Sequence, residues 1–275
     1  MYAIPKPRRS ATDDYDAARK LRRSKVVKSR LEAVRERVLE AYVEYDKKRG
    51  LPSLVSELNL DVETADALLK NYRLTYVGNS LDSIRGDLMA STLHGLCPMC
   101  GRGEVWTLDH YLPKESYPEF SLLPINLVPA CWSCNHFKAK LTESLAGARF
   151  FHTYYDSLPT MPILKAAIVF DQGSFDAVFD VNPVLPDETL HNASFQFEKL
   201  RLSRLYKLAS KVELVERYHA VDNAYGSGGA EEVAYLARME ARQLRESFGD
   251  HYWKVALYEG IAGSHDFCDG GYRLL

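Results

Sequence analysis

Four cysteines carry the clearest chemical pattern in the chain. They form two C-x-x-C pairs, Cys97 with Cys100 and Cys131 with Cys134, and thirty residues separate the pairs. Each pair supplies two thiolates from one tight turn, and four thiolates suit a tetrahedral zinc ion with Zn–S bonds of about 2.3 Å. A zinc ion with four sulfur ligands has no open position, so we predict a structural site. Cys268 stands apart and is expected to be an inert thiol.

A group of polar residues lies between the two pairs and just after them. Asp109 and His110 end a short apolar stretch with strand propensity, which puts a hard oxygen ligand beside a titratable base. Asn126 opens a second apolar run. Asn135 and His136 directly follow Cys134 on a predicted short helix. Two strands and a helix tied together by zinc would bring these side chains close to one another.

The segment from Cys97 to Lys140 resembles the HNH nuclease family, also called the ββα-metal fold. The zinc-knuckle form of that family has the pattern C-x-x-C, D-H, N-L and C-x-x-C-[H/N]-x-x-K. Ten residues fill these positions in order: Cys97, Cys100, Asp109, His110, Asn126, Leu127, Cys131, Cys134, Asn135 and Lys138. The resemblance covers about 45 residues strongly. The linking phrase YLPKESYPEFSLLPINLVPAC is also similar to HNH proteins found among bacterial defence genes.

The resemblance implies hydrolysis of a phosphodiester bond with one catalytic metal ion. His110 would deprotonate a water for in-line attack, and Asp109 would hold Mg²⁺ or Mn²⁺ against the scissile phosphate. Asn126 would fix the loop and help to orient the histidine, so His110 and Asn126 are the predicted catalytic residues. By register, Asn135 is the second ligand of the ion. His136 is the alternative ligand, because neighbouring side chains on a helix point about 100° apart and cannot both face inward.

Basic residues are the candidate nucleic-acid contacts. Residues 1–50 hold fifteen Lys and Arg against eight Asp and Glu, a net charge of +7, whereas the rest of the chain carries −9. Residues 17–30 hold seven cations and no carboxylate, which could track phosphates. One solvated helix face is an equally good interpretation. The predicted contacts are Lys138, Arg19, Lys20, Arg22 and Arg23; for Lys138, a solvated helix lysine is nearly as good an interpretation.

Aromatic residues and one histidine beside the motif have simpler expected roles. Trp106 and Trp132 are expected to pack in the small core, with stacking on bases as the alternative. His152, within FFHTYYD, is expected to be a packed histidine.

The amino-terminal part of the chain is predicted to be mainly helical. Residues 1–16 have the composition of an arm without a core. Apolar residues at spacings of three and four predict a helix from about residue 17 that ends at Gly50. Two further helices are predicted over 61–72, with Asp61 as a cap, and over 81–91.

The part beyond residue 145 is predicted to be mixed. Two strands over 163–170 and 175–181 are joined by a turn at Gly173. Long helices over 200–225 and 230–248 flank a Gly-Ser-Gly-Gly break.

These elements predict an α+β fold in three parts. A basic arm and helical region covers residues 1–94, and a zinc-stapled ββα-metal core covers 95–145. A mixed, mostly helical region covers 146–275. Within the core, Lys and Arg balance Asp and Glu, so nucleic-acid affinity has to come from elsewhere on the chain or from a partner.

Composition places the chain among ordinary globular proteins. Apolar residues make up 46% and charged residues 26%, which excludes a wholly disordered chain. No apolar run approaches the roughly 18 residues that a membrane helix needs, and the first residues have no apolar signal region. We therefore expect a cytoplasmic protein that does not contact membranes.

The sequence thus predicts a DNA-cutting HNH endonuclease with a structural zinc ion and a catalytic Mg²⁺ or Mn²⁺ ion. Defence against phage or foreign DNA is the expected context, with a sensor or ATPase subunit as a partner; both expectations rest on the resemblance. The alternatives are a non-catalytic zinc module that recruits nucleic acid or protein, and an endonuclease that cuts RNA, such as tRNA, at the same site.

Overall fold

The computed structural model describes the whole chain from Met1 to Leu275 and has an α+β fold. The chain forms two compact units. The amino-terminal unit consists of Ala3–Met99 and Gly103–Ser157, and the carboxy-terminal unit consists of Met1–Tyr2, Cys100–Arg102 and Leu158–Leu275. This division differs from the three predicted parts, because the helices before residue 95 and most of the cysteine segment share one core.

Six α-helices belong to the amino-terminal unit. They are α1 (Ala11–Leu21), α2 (Lys25–Ala33), α3 (Arg35–Lys47), α4 (Val62–Asn71), α5 (Asp82–Ala90) and α6 (Trp132–Lys138). The single helix predicted from residue 17 to Gly50 is wrong. The helical conformation is interrupted before Ser24, which caps α2, and again at Val34. The predicted cap of α4 is confirmed: Asp61 accepts a hydrogen bond from the Thr64 amide at 2.9 Å.

The first sixteen residues are not an arm without a core. Ile4 is buried, and its amide donates to the Thr153 carbonyl at 2.9 Å. Tyr15 is also buried and donates its hydroxyl to the Leu31 carbonyl at 2.7 Å. Asp13 and Asp14 lie in the first turn of α1, where carboxylates are favourable beside the positive end of the helix.

Two short strands lie between the cysteine pairs. Strand β1 (Thr107–His110) pairs antiparallel with β2 (Leu127–Ala130), so that Thr107 faces Ala130 and His110 faces Leu127. Helix α6 starts directly after β2 and packs on β1. The order is therefore strand, long loop, strand and helix.

The carboxy-terminal unit contains the second sheet and four helices. They are β3 (Leu164–Asp171), β4 (Ser174–Val181), α7 (Asp187–Lys199), α8 (Leu202–Phe248), α9 (Trp253–Ala262) and α10 (His265–Cys268). The predicted hairpin is confirmed, with Gly173 at a positive φ of 80° in its turn. The predicted break is also confirmed, because Gly228 and Gly229 leave helical geometry inside α8. None of the helices combines the length and apolar character that crossing a membrane requires.

One buried carboxyl in the amino-terminal unit makes stability depend on pH. Glu119 is 1% exposed, and its Oε1 accepts a hydrogen bond from the Leu58 amide at 2.9 Å, whereas Oε2 has no partner. Burial raises the pKa of Glu119 to about 7. The folded state therefore holds this proton more tightly than the unfolded chain does.

We expect the native chain to lose stability between pH 4.5 and pH 7, and we expect Glu119→Gln to remove that loss. Below the pKa that it has in the unfolded chain, the Glu119 carboxyl is protonated in both states and costs no free energy. Above that pH its raised pKa destabilises the folded state, by up to about 3 kcal/mol here. Urea unfolding at pH 5 and pH 8 measures this, with the exposed Glu40→Gln as control. Equal pH dependence in both variants would contradict the assignment.

Candidate metal centre and adjoining cleft

The two C-x-x-C pairs converge on one point. All four sulfur atoms, of Cys97, Cys100, Cys131 and Cys134, lie within 4.8 Å of one another and are buried. Zn–S bonds of about 2.3 Å put the sulfurs of a tetrahedral site about 3.8 Å apart, so this cluster fits zinc. The donor set is all sulfur, which suits zinc and leaves no open position.

Local backbone geometry shapes both knuckles. The Cys97 amide donates to the Gly103 carbonyl at 2.7 Å, which closes the first knuckle, and Gly101 takes a positive φ of 67° inside it. At the second knuckle Cys131 caps α6, and its sulfur accepts from the Cys134 amide at 3.5 Å. The predicted four-cysteine cluster is therefore confirmed.

Asp109 and Lys138 form an ion pair inside the protein. The Lys138 Nζ lies 3.0 Å from Asp109 Oδ2, and both side chains are almost fully buried. Nζ also donates to the His110 carbonyl at 2.8 Å. Lys138 is thus the charged partner of the buried Asp109 Oδ2. Burial raises the pKa of Asp109, and the charge of Lys138 opposes that rise.

This placement corrects the predicted role of Lys138. The side chain is neither a solvated helix lysine nor a phosphate contact, because only 1% of it is exposed. It neutralises a buried carboxylate and ties α6 to the end of β1.

The His110 ring is held in one tautomer. Its Nε2 lies 3.0 Å from the Ser121 carbonyl oxygen, which can only accept, so Nε2 carries the hydrogen and Nδ1 carries the lone pair. The Tyr72 ring packs edge-on against the imidazole, with 4.5 Å between the ring centres. Burial, helped by the charge of Lys114, lowers the pKa of His110 to about 3. The imidazole is therefore neutral at physiological pH.

Asn126 clamps the loop between the strands. Its Oδ1 accepts from the Leu112 amide at 2.8 Å and from the Tyr45 hydroxyl at 2.9 Å. Its Nδ2 donates to the carbonyls of Leu112 at 3.0 Å and Phe120 at 3.2 Å. Ser121 directly follows Phe120. The hydrogen bonds of Asn126 therefore also fix the Ser121 carbonyl, which accepts from the His110 ring.

Behind Asn126 lies a pair of residues that sequence reasoning did not assign to the site. His152 Nδ1 accepts from the Tyr154 amide at 3.4 Å, so its Nε2 donates to the Tyr45 oxygen at 3.0 Å. Tyr45 can then donate to Asn126. His152 is 1% exposed, which confirms it as a packed histidine. The helical spacing put Tyr45 on the shared apolar face of the predicted amino-terminal helix, but it gave no sign of the contact with Asn126.

Three predicted residues line one open cleft of about 490 Å³ in the amino-terminal unit: Asp109, His110 and Asn135. His136 does not line it; this residue is exposed, and its ring stacks on Trp132 with 4.7 Å between centres and 7° between planes. Of the two alternatives left open for the metal, the cleft therefore contains Asn135. Its other lining includes the cations Arg85, Lys114 and Lys140.

The predicted basic contacts do not gather at this cleft. Arg19 pairs with Asp16 at 3.7 Å, and Arg22 donates to the Asn71 side chain at 2.9 Å. Lys20 and Arg23 are exposed on the surface. None of the four residues Arg19, Lys20, Arg22 and Arg23 lines the cleft.

The expected core packing of two tryptophans is wrong. Trp106, just before β1, is 64% exposed. Trp132, the first residue of α6, is 63% exposed.

Comparison with known proteins finds similarity to protein ea31 of Escherichia phage lambda. The two sequences are 27% identical over an alignment 188 residues long, which covers 63% of this chain. The aligned part spans 64% of the length of ea31. No protein-family model matches the sequence. No solved structure matches it either.

The buried ion pair generates a stability prediction. We expect Lys138→Met to lower the free energy of unfolding by about 3–5 kcal/mol, because it leaves the Asp109 charge unpaired in the interior. Adding Asp109→Asn to that variant should recover most of the loss. Urea unfolding of both single variants and the double variant measures the coupling, with the exposed Lys140→Met as control. Additive effects would contradict a direct ion pair.

Proposed function

We propose that the protein is a metal-dependent endonuclease that hydrolyses phosphodiester bonds of DNA. The observation that carries the proposal is the meeting of Asp109, His110 and Asn135 in one cleft, on a strand–strand–helix unit tied by four cysteines. A carboxylate, a neutral imidazole and an amide are the groups that metal-assisted hydrolysis needs within reach of one another. The HNH resemblance assigns these same positions to the catalytic centre.

The cleft residues fit a hard divalent ion. Asp109 and Asn135 both line the cleft and carry oxygen donors, and Lys138 is the present partner of Asp109 Oδ2. Oxygen donors of this kind suit Mg²⁺ and Mn²⁺. When bound by Asp109 and Asn135, such an ion would supply positive charge where the leaving oxygen becomes negative.

His110 would accept the proton of the attacking water. Its Nε2 is committed to the Ser121 carbonyl, which leaves the Nδ1 lone pair as the proton acceptor. The neutral state of the ring keeps that lone pair available. The Asn126 clamp holds Ser121 in place, so Asn126 and Tyr45 act as positioning residues for His110.

A non-catalytic zinc module is the second candidate. The observation in its favour is that Lys138 already neutralises Asp109, so the carboxylate does not need a metal ion for charge balance. The two candidates differ in whether any metal ion produces cleavage.

We expect the purified chain to nick supercoiled plasmid with Mg²⁺ or Mn²⁺, and His110→Ala to reduce the rate by at least about 100-fold. His110→Gln tests the same base with less loss of volume in the buried site. The exposed His265→Ala serves as the matched control and should keep full activity.

Melting curves of every variant separate loss of chemistry from loss of fold. Nicking that persists in the folded His110 variants would contradict the assigned base. An intact native chain that cuts in none of the metals would contradict the proposal and favour the zinc module.

A further inference from the structure

Two of the three tryptophans expose broad aromatic surface on the amino-terminal unit. Trp253 is 3% exposed and belongs to the carboxy-terminal core, whereas Trp106 and Trp132 are each more than 60% exposed. Indole is mostly apolar, so leaving two rings in water costs free energy that a bound partner would recover.

The backbone places both tryptophans at the same end of the strand pair. Trp106 immediately precedes β1, and its amide donates to the Ala130 carbonyl at 3.1 Å. Trp132 follows Ala130 by two residues and opens α6. The two aromatic residues therefore lie on adjoining stretches of chain.

Both tryptophans are close along the chain to residues that line the cleft, although neither is part of its lining. Trp132 and Asn135 are three residues apart on α6, a spacing that puts their Cβ atoms about 5–6 Å apart. Trp106 precedes Thr107, which lines the cleft, and its carbonyl accepts a hydrogen bond from Arg85, which lines it too.

The Trp132 ring has a fixed orientation. The His136 imidazole lies parallel to it and covers one face, so the exposed surface is the other face and the ring edge. Tyr76, 47% exposed, lines the cleft together with Tyr72 and lies edge-on to it, with 5.4 Å between ring centres.

We propose that Trp106 and Trp132 form a stacking platform for unpaired bases, so that the substrate of the cleft is single-stranded nucleic acid. Aromatic side chains stack on bases of any sequence when those bases are free, and the stacked bases of a duplex do not present their faces. The cleft lining holds three cations, Arg85, Lys114 and Lys140, against one exposed carboxylate, Glu115, and this excess of positive charge suits the phosphate backbone. Placing the scissile phosphate in this cleft rests on the proposed nuclease function. Single-stranded DNA and RNA share the chemistry.

The test measures binding apart from cleavage. Full-length protein carrying His110→Gln is titrated, without added divalent metal, into labelled oligonucleotides about twelve nucleotides long. The probes are single-stranded DNA, single-stranded RNA and a DNA duplex, and affinity comes from fluorescence anisotropy. Trp106→Leu and Trp132→Leu remove stacking but keep an apolar side chain, and Trp132→Phe restores an aromatic face. The fully exposed Leu145→Ala, outside the cleft, is the matched control.

We expect a single strand to bind at least tenfold more tightly than the duplex. Each Trp→Leu change should weaken that binding by about tenfold, while Trp132→Phe and Leu145→Ala should stay within about twofold of the parent. The tighter of the two single strands identifies the source as DNA or RNA. Quenching of tryptophan fluorescence should accompany binding and disappear in the double variant that keeps only Trp253.

Two results would overturn the proposal. One is binding to no single strand; the other is single-strand affinity unchanged by both Trp→Leu variants, which would assign the tryptophans to another contact such as a protein surface. Native protein that cuts neither plasmid nor the single-stranded probes in any metal, with stacking-dependent binding intact, would overturn the nuclease and leave the platform. Cutting of the single-stranded probes is expected to fall together with binding in both Trp→Leu variants.

Discussion

The convergence of four buried cysteine sulfurs is the constraint on which the candidate site depends. The segment they enclose has two strands of four residues each and a helix of seven, too little to bury an apolar core of its own. Zinc bound by four thiolates contributes apparent free energies of about 10–16 kcal/mol in small zinc domains. A zinc ion held by these four thiolates would fix where β1 starts and where α6 begins, and so would fix Asp109 and Asn135.

The interior of the site is polar, and its groups are paired in a chain. Lys138 neutralises Asp109 and holds the His110 carbonyl, while the Ser121 carbonyl holds the other side of that histidine. Asn126 uses both ends of its amide on the loop that carries Ser121. Buried polar networks of this kind are rigid when satisfied, because each broken contact leaves a costly unpaired group. A site built in this way is set before any substrate arrives.

Local rules explain what the sequence could predict. The Asp61 cap and the turn at Gly173 follow from side-chain and backbone preferences within a few residues, and the cysteine cluster follows from spacing. Contacts between distant segments were beyond such rules. Lys138 looks like a surface lysine until Asp109, 29 positions earlier, is known to face it. Tyr45 reaches Asn126 across 81 positions, and no local pattern marks that contact.

Zinc K-edge X-ray absorption on the protein as purified would identify the atoms bound at the four-cysteine cluster. We expect stoichiometric zinc with a single shell of four sulfur atoms at about 2.3 Å. Mutating one of the four cysteines should then replace one sulfur by a lighter atom. A shell containing nitrogen or oxygen in the native protein, or a folded chain that binds no zinc, would contradict the claim that these four thiolates organise the site.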